Sequence, residues 1–161
     1  MIYYFIALIV FLLDQGTKWI IATQMRLGEQ RSVIGDFFLI TSHRNTGAAF
    51  SILEGQRWFF LVITPIVLIG IVWYMQKMKQ SGSKMLFLGL SLILGGAVGN
   101  FLDRVLTGEV VDFLQFNFGN YTFPIFNIAD SGIVIGVGLV LLDSLLGAKK
   151  GENNQKSEEL Q

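Results

Sequence analysis

Residues 58–76 and 85–102 carry no charged side chain, and each is about the 20 residues that a helix needs to cross a bilayer. Residues 2–22 are equally apolar apart from Asp14 and Lys18. Residues 128–148 are interrupted only by Asp130 near their start and Asp143 near their far end. This pattern predicts an all-α membrane protein with four transmembrane helices in one domain, residues 1–148. A polar tail, 149–161, is expected to lack structure. The first stretch has no basic leader, and two charges break its apolar run, so it reads as a retained helix rather than a cleaved signal peptide.

The connecting segments have patterns of their own. Over residues 28–56, short alternating runs are punctuated by Gly28, Gly35, Gly47 and Gly55, which predicts a small extracytoplasmic β-element resting on the helices. Residues 109–126 hold six aromatics between Phe113 and Phe126, the density expected of an interfacial loop.

Charge placement orients the spans. The 77–84 connection carries Lys77, Lys79 and Lys84 with no acid, and Lys149 and Lys150 follow the last span. Basic connections stay in the cytoplasm, so both termini are expected there. Arg26, Arg31, Arg44 and Arg57 in the first long connection weaken the bias but do not reverse it.

Composition then removes whole classes of chemistry. Charged residues make up 15% of the chain and hydrophobic ones 52%, against about 25% charge in a soluble domain. Basic and acidic residues balance at 12 each, which gives no basis for nucleic-acid binding. Without cysteine there is no disulfide, thiolate metal site or cysteine nucleophile. The single histidine, His43, excludes an HExxH zinc site and reads as a polar loop residue.

The polar residues that remain in or beside the spans choose one face of the membrane. Asp14 and Lys18 lie in the outer half of the first span, Asn100, Asp103 and Arg104 at the outer end of the third, and Asn127 and Asp130 at the outer start of the fourth. Spacings of three and four residues put each group on one helical stripe. The glycine pairs Gly95/Gly99 and Gly132/Gly136 would let such stripes approach closely. Asp143 lies about 20 Å further along its helix and falls outside this group. An ionisable residue at membrane depth is costly and marks function by default. Asp112 and Asp130, two carboxylates that can meet across the aromatic segment, are the expected water-activating pair. Asp14 and Lys18 are equally compatible with a neutralising ion pair and with substrate contact, and Asp103 fits a structural role.

Three other readings use the same residues. A small transporter or proton relay would need polar groups through the inner half, where only Asp143 stands. A Ser–Lys protease would pair Lys18 with Ser51 or Ser131, without a nucleophile motif. A non-enzymatic assembly factor would require both aspartates to be dispensable.

The motifs themselves are distinctive. They are Asp14-Gln15-Gly16-Thr17-Lys18, Asn45-Thr46-Gly47-Ala48-Ala49-Phe50, Gly95 through Arg104 (GGAVGNFLDR), Val110-Val111-Asp112-Phe113 and Phe126-Asn127-Ile128-Ala129-Asp130. In this order the chain closely resembles the lipoprotein signal peptidases, the type II signal peptidase family, up to about residue 148. The resemblance implies a multi-pass aspartic endopeptidase of the bacterial inner or plasma membrane, its active site toward the outer leaflet. Its dyad would be Asp112 and Asp130, with Asn45, Asn100, Arg104 and Asn127 binding substrate and Asp14, Lys18 and Asp103 in support. The implied substrates are diacylglyceryl-modified prolipoproteins, cut before the modified cysteine and met among membrane lipids. It implies no metal, no nucleotide or other cofactor, no nucleic acid and no obligate protein partner.

Overall fold

The computed structural model describes residues 1–47 and 54–158, with the side chains of 149–158 outside the description. Among the described residues, four helices are long and apolar enough to cross a membrane. They are α1 (Ile2–Gln24), α2 (Arg57–Lys77), α3 (Lys84–Leu106) and α4 (Ile128–Glu158). The apolar part of α4 ends at Ala148. The helix itself continues to Glu158, through most of the polar tail expected to lack structure, and residues 159–161 lie outside the description.

Helix α3 is the centre of the bundle, and α1, α2 and α4 all pack against it. Its burial follows from small residues. A Cβ at Gly95 would collide with the Ala7 carbonyl of α1, one at Gly96 with the Ala129 carbonyl of α4, and one at Gly99 with the Asp14 carboxylate. Only bare backbone lets three helices come this close, which is how bundles associate where lipid removes the hydrophobic drive. The opposite surfaces stay apolar and outward: Trp19, Trp58, Ile69, Val134 and Leu145 are all exposed.

Four antiparallel strands in the order β1-β2-β3-β4 sit at the end of the bundle where α1 and α3 finish and α4 begins. They are β1 (Gln30–Ile34), β2 (Phe38–Asn45), β3 (Val110–Phe118) and β4 (Tyr121–Thr122). The 109–126 segment is therefore not a separate loop. Its β3 pairs with β2 in the register Phe38↔Phe116, His43↔Asp112 and Asn45↔Val110. The dense aromatics build cross-strand contacts. Phe38 stacks on Phe116 at 4.7 Å between centroids, Phe116 on Phe126 at 5.9 Å, and Phe123 meets Phe126 edge-on at 5.8 Å. Phe113, 4% exposed, anchors the sheet on the bundle by packing with Ile21 and Met25 at the end of α1.

The basic 77–84 connection lies at the other end, where Ser83 caps α3 by accepting from the Leu86 N–H at 3.0 Å. The Ser83 hydroxyl also donates to Asp143, which fixes Asp143 at the end remote from the other polar groups.

Candidate active site

The chain returns from β4 alongside β3. The Phe113 and Leu114 N–H groups donate to the Phe126 carbonyl at 3.0 and 2.8 Å, and the Phe126 N–H donates back to Leu114 at 3.2 Å. This backbone clamp brings Asn127 beside Asp112 just as α4 starts. Asn127 is not a member of the helix, as its spacing suggested, but its cap. Its Oδ1 accepts from the Asp130 N–H at 2.9 Å, while Asp130 Oδ2 accepts from the Asn127 N–H at 3.1 Å. The exchange is a reciprocal capping box, and it fixes the Asp130 carboxylate in the first turn of α4.

Three asparagines present their amide nitrogens to the two carboxylates. Asn127 Nδ2 donates to Asp112 Oδ1 at 2.7 Å, Asn45 Nδ2 to Asp112 Oδ2 at 2.9 Å, and Asn100 Nδ2 to Asp130 Oδ1 at 2.8 Å. An amide can face either way in principle. Here each amide oxygen is held by a group that can only donate. These are the Asp130 N–H for Asn127, the Gly47 N–H at 2.8 Å for Asn45, and the Lys18 ammonium at 2.8 Å for Asn100. All three NH₂ groups are thereby directed at the dyad.

Lys18 is 3% exposed and its three N–H groups meet three acceptors: Asn100, Asp14 Oδ2 at 2.8 Å and Asp103 Oδ2 at 2.7 Å. Asp14, fully buried, also accepts the Ala129 N–H at 2.9 Å, so it ties α1 to the start of α4. Gln15 Nε2 reaches Asp14 Oδ2, Gly99 O and Asp103 Oδ1 at 3.0–3.2 Å. Asp14, Lys18 and Asp103 thus form a buried charge cluster behind the cavity wall rather than part of its lining.

The cavity, about 510 Å³, is lined by Asn45, Asn100, Arg104, Asp112 and Asp130 on its polar side. Phe123, Ile125, Phe126, Ile133 and Val134 form its apolar side. Asp112 is 1% exposed. Burial, and next the negative charge of Asp130, push its carboxyl up to about 6, against the opposing hydrogen bonds from Asn45 and Asn127. Arg104 donates to the Gly47 carbonyl at 2.6 Å and to the Asn100 carbonyl at 3.2 Å, with its guanidinium 4.4 Å above the Phe60 ring. A pocket with one buried and one half-buried carboxylate, directed amide donors and one guanidinium can activate a water and hold a polarised carbonyl.

Each expected site residue can now be placed. Asn45, Asn100, Arg104, Asp112 and Asp130 line one cavity, and Asn127 stands beneath it, fully buried. His43 is exposed on β2. Ser131 lines the cavity but donates to the Asn127 carbonyl at 3.0 Å, and Lys18 is committed elsewhere, so no Ser–Lys pair exists between them. Ser51 and the Ala48–Phe50 part of the second motif lie outside the described residues. Sequence reasoning passed over Gln15, Phe60 and Arg57. Gln15 was visible as an amide inside an apolar span. Arg57, which donates to the Arg104 and Val105 carbonyls at 2.9 and 2.8 Å, and Phe60 gave no pattern to read.

Comparison with known proteins places this arrangement. The sequence model of signal peptidase (SPase) II matches residues 6–146. The lipoprotein signal peptidase of Bacillus pumilus is 57% identical over 93% of this chain and 96% of its own length. That of Bacillus subtilis is 50% identical over 96% of this chain and 100% of its own. A solved bacterial membrane enzyme, determined by the in meso method at 2.3 Å, superposes with a TM-score of 0.85 at 48% identity, covering 92% of this chain and 90% of the other. With the family matched across nearly all of its length, fold included, the chain is a membrane-embedded protease that belongs to the signal peptidase II family.

Proposed function

We propose that the chain removes signal peptides from bacterial prolipoproteins by aspartic chemistry, with Asp112 and Asp130 as the catalytic pair, cutting before the diacylglyceryl-modified cysteine. The observation that carries this reading is that both carboxylates line one cavity and each accepts an amide N–H directed at it. Two neighbouring carboxylates in one largely apolar cavity share a proton rather than both ionise. The ionised member takes a proton from a water, whose oxygen attacks the scissile carbonyl. The protonated member donates to the developing oxyanion. Collapse of the tetrahedral intermediate breaks the C–N bond as a proton passes to the leaving amine.

Arg104 and Asn100 line the cavity where they can hold carbonyls of the substrate backbone, and Asn45 and Asn127 hold Asp112. The apolar side formed by Ile133, Val134 and Phe123 suits acyl chains that keep the scissile bond at the bilayer surface. Lys77, Lys79 and Lys84 at the opposite end orient that end to the cytoplasm, which puts the site at the outer leaflet and both termini inside. The confinement of the polar residues to one end argues against the transporter reading.

The test is cleavage of a diacylglyceryl-modified prolipoprotein peptide by purified wild type, Asp112→Asn and Asp130→Asn, with and without EDTA. Loss of several orders of magnitude in both variants, with no effect of EDTA and no added protein, is expected. Retained cleavage in either variant overturns the dyad.

A further inference from the structure

Two hollows lie outside the active site, one at the basic end of the bundle and the other along the middle of α2 and α3. One, about 600 Å³, is lined by Tyr3, Tyr4, Met75, Gln76, Lys79 and Phe87; the other, about 440 Å³, includes Leu68, Val72, Gln76, Leu94 and Val98. They share Gln76. On α2, positions 68, 72, 75, 76 and 79 recur at spacings that keep them on one face, and on α3 positions 87, 94 and 98 do the same. The hollows meet at Gln76 and together make a crevice walled by α2, α3 and, near its mouth, the start of α1. From Leu68 to Lys79 it extends about 16 Å at the rise of a helix, long enough to hold most of an acyl chain.

Its chemistry changes along its length. The inner part is apolar, with Leu68, Val72, Leu94 and Val98. The floor near the mouth is aromatic, with Tyr3 stacked on the buried Phe87 at 5.0 Å between centroids. The mouth carries Gln76 and Lys79, with Met1 and the phenols Tyr3 and Tyr4 beside them. Lys77 folds over the Trp73 ring at 5.0 Å, and Lys84 opens α3 close by, so the mouth is cationic. No acid occurs between residues 55 and 102, so neither α2, the 77–84 connection nor the first 19 residues of α3 supplies a balancing charge. Asp143, the acid of α4 at this end among the residues whose side chains are described, is engaged by Ser83.

We propose that this crevice is a binding site for one anionic phospholipid of the leaflet at the basic end, an acyl chain lying along Leu68, Val72 and Leu94 and the headgroup phosphate held by Lys79 beside Gln76. A neutral lipid fits the apolar part equally well. The lysines add the selectivity, since basic pockets at helix junctions favour anionic headgroups. The site is independent of the catalytic reading, because none of its lining residues lines the catalytic cavity.

The experiment uses the full chain in nanodiscs, with phosphatidylglycerol titrated into phosphatidylcholine. Native mass spectrometry reads the lipid retained and a thermal scan reads the melting temperature. One retained phosphatidylglycerol and a saturable rise in melting temperature are expected for wild type. Lys79→Gln should lose the preference at least several-fold, and Val72→Trp, which fills the crevice, should retain neither lipid. Peptide cleavage in detergent should persist in both variants, which reports that they fold. Equal retention of the two lipids by wild type, or unchanged preference in Lys79→Gln, overturns the proposal. Should Lys79→Gln fail to fold, undiminished retention by Val72→Trp overturns it alone.

Discussion

The Lys18 ammonium lies 2.8 Å from Asn100 Oδ1, a contact between residues 82 apart in sequence, and it decides which way the Asn100 amide faces. Because an ammonium only donates, the oxygen must turn toward Lys18 and the nitrogen toward Asp130, 2.8 Å away. A buried charge that never touches the cavity thereby shapes the hydrogen bonding inside it.

Lys18→Met leaves Asp14 and Asp103 buried without their shared cation. Removing one partner of a buried pair destabilises by about 3–5 kcal/mol. A large fall in melting temperature is expected, and in whatever folds, kcat should fall more than KM rises because the Asn100 amide is free to turn. An unchanged melting temperature would mean that something other than Lys18 balances the two acids.

Gly96→Ala drives a methyl group into the Ala129 carbonyl, one residue before Asp130. Overpacking of this kind costs about 1–3 kcal/mol and should displace the start of α4, lowering both stability and cleavage. Gly138→Ala meets no atom within 4 Å. It should be neutral or stabilising by up to about 1 kcal/mol. Thermal unfolding of the two variants side by side checks this, and equal losses would remove the packing argument.

The folded Asp112 carboxyl sits at about 6, above the ordinary 3.8. The folded state therefore binds more protons than the unfolded chain between these values, so the contribution of Asp112 to stability falls as pH rises from about 4 through 6. Asp112→Asn should flatten this slope, whatever constant offset it adds. Melting temperatures at several pH values from 4 to 7 are the measurement, and identical slopes in the two proteins would contradict it.

Phe60 supports the Arg104 guanidinium from 4.4 Å. Exposed to partly buried contacts of this type are worth about 0.5–2 kcal/mol. Phe60→Leu keeps the apolar bulk and loses the ring face, so KM should rise a few-fold to about thirty-fold with kcat little changed. A fall confined to kcat would assign Arg104 to the chemical step instead of substrate binding.

Of the residues lining the pocket, Asn45, in a polar stretch, was expected only through the family resemblance, whereas Asp112 was readable as a carboxylate beside the aromatic segment and Asn100, Arg104 and Asp130 as polar side chains in or beside apolar spans. Gln15 obeys the same logic. Phe60 and Arg57 do not, since an aromatic and an arginine near a span end are ordinary there, and only their contacts with Arg104 give them meaning. The aromatics of the 109–126 segment suit the membrane interface and a strand equally. Pairing with β2, nearly 70 residues earlier, decides between them.

The sequence by itself determined the number of apolar spans and the end of the bundle that collects polar groups. Transfer of a helix into lipid is close to a sum over its own residues and needs no knowledge of neighbours. The tertiary structure alone decided that Asn127 caps α4, that Asp103 turns to Lys18 and away from the cavity, and that three amides face two carboxylates. Hydrogen bonds and ion pairs are short-ranged and directional. Their partners here come from α1, β2, β3, α3 and α4, and only the close approach permitted by Gly96 and Gly99 brings α1 and α4 within reach of α3.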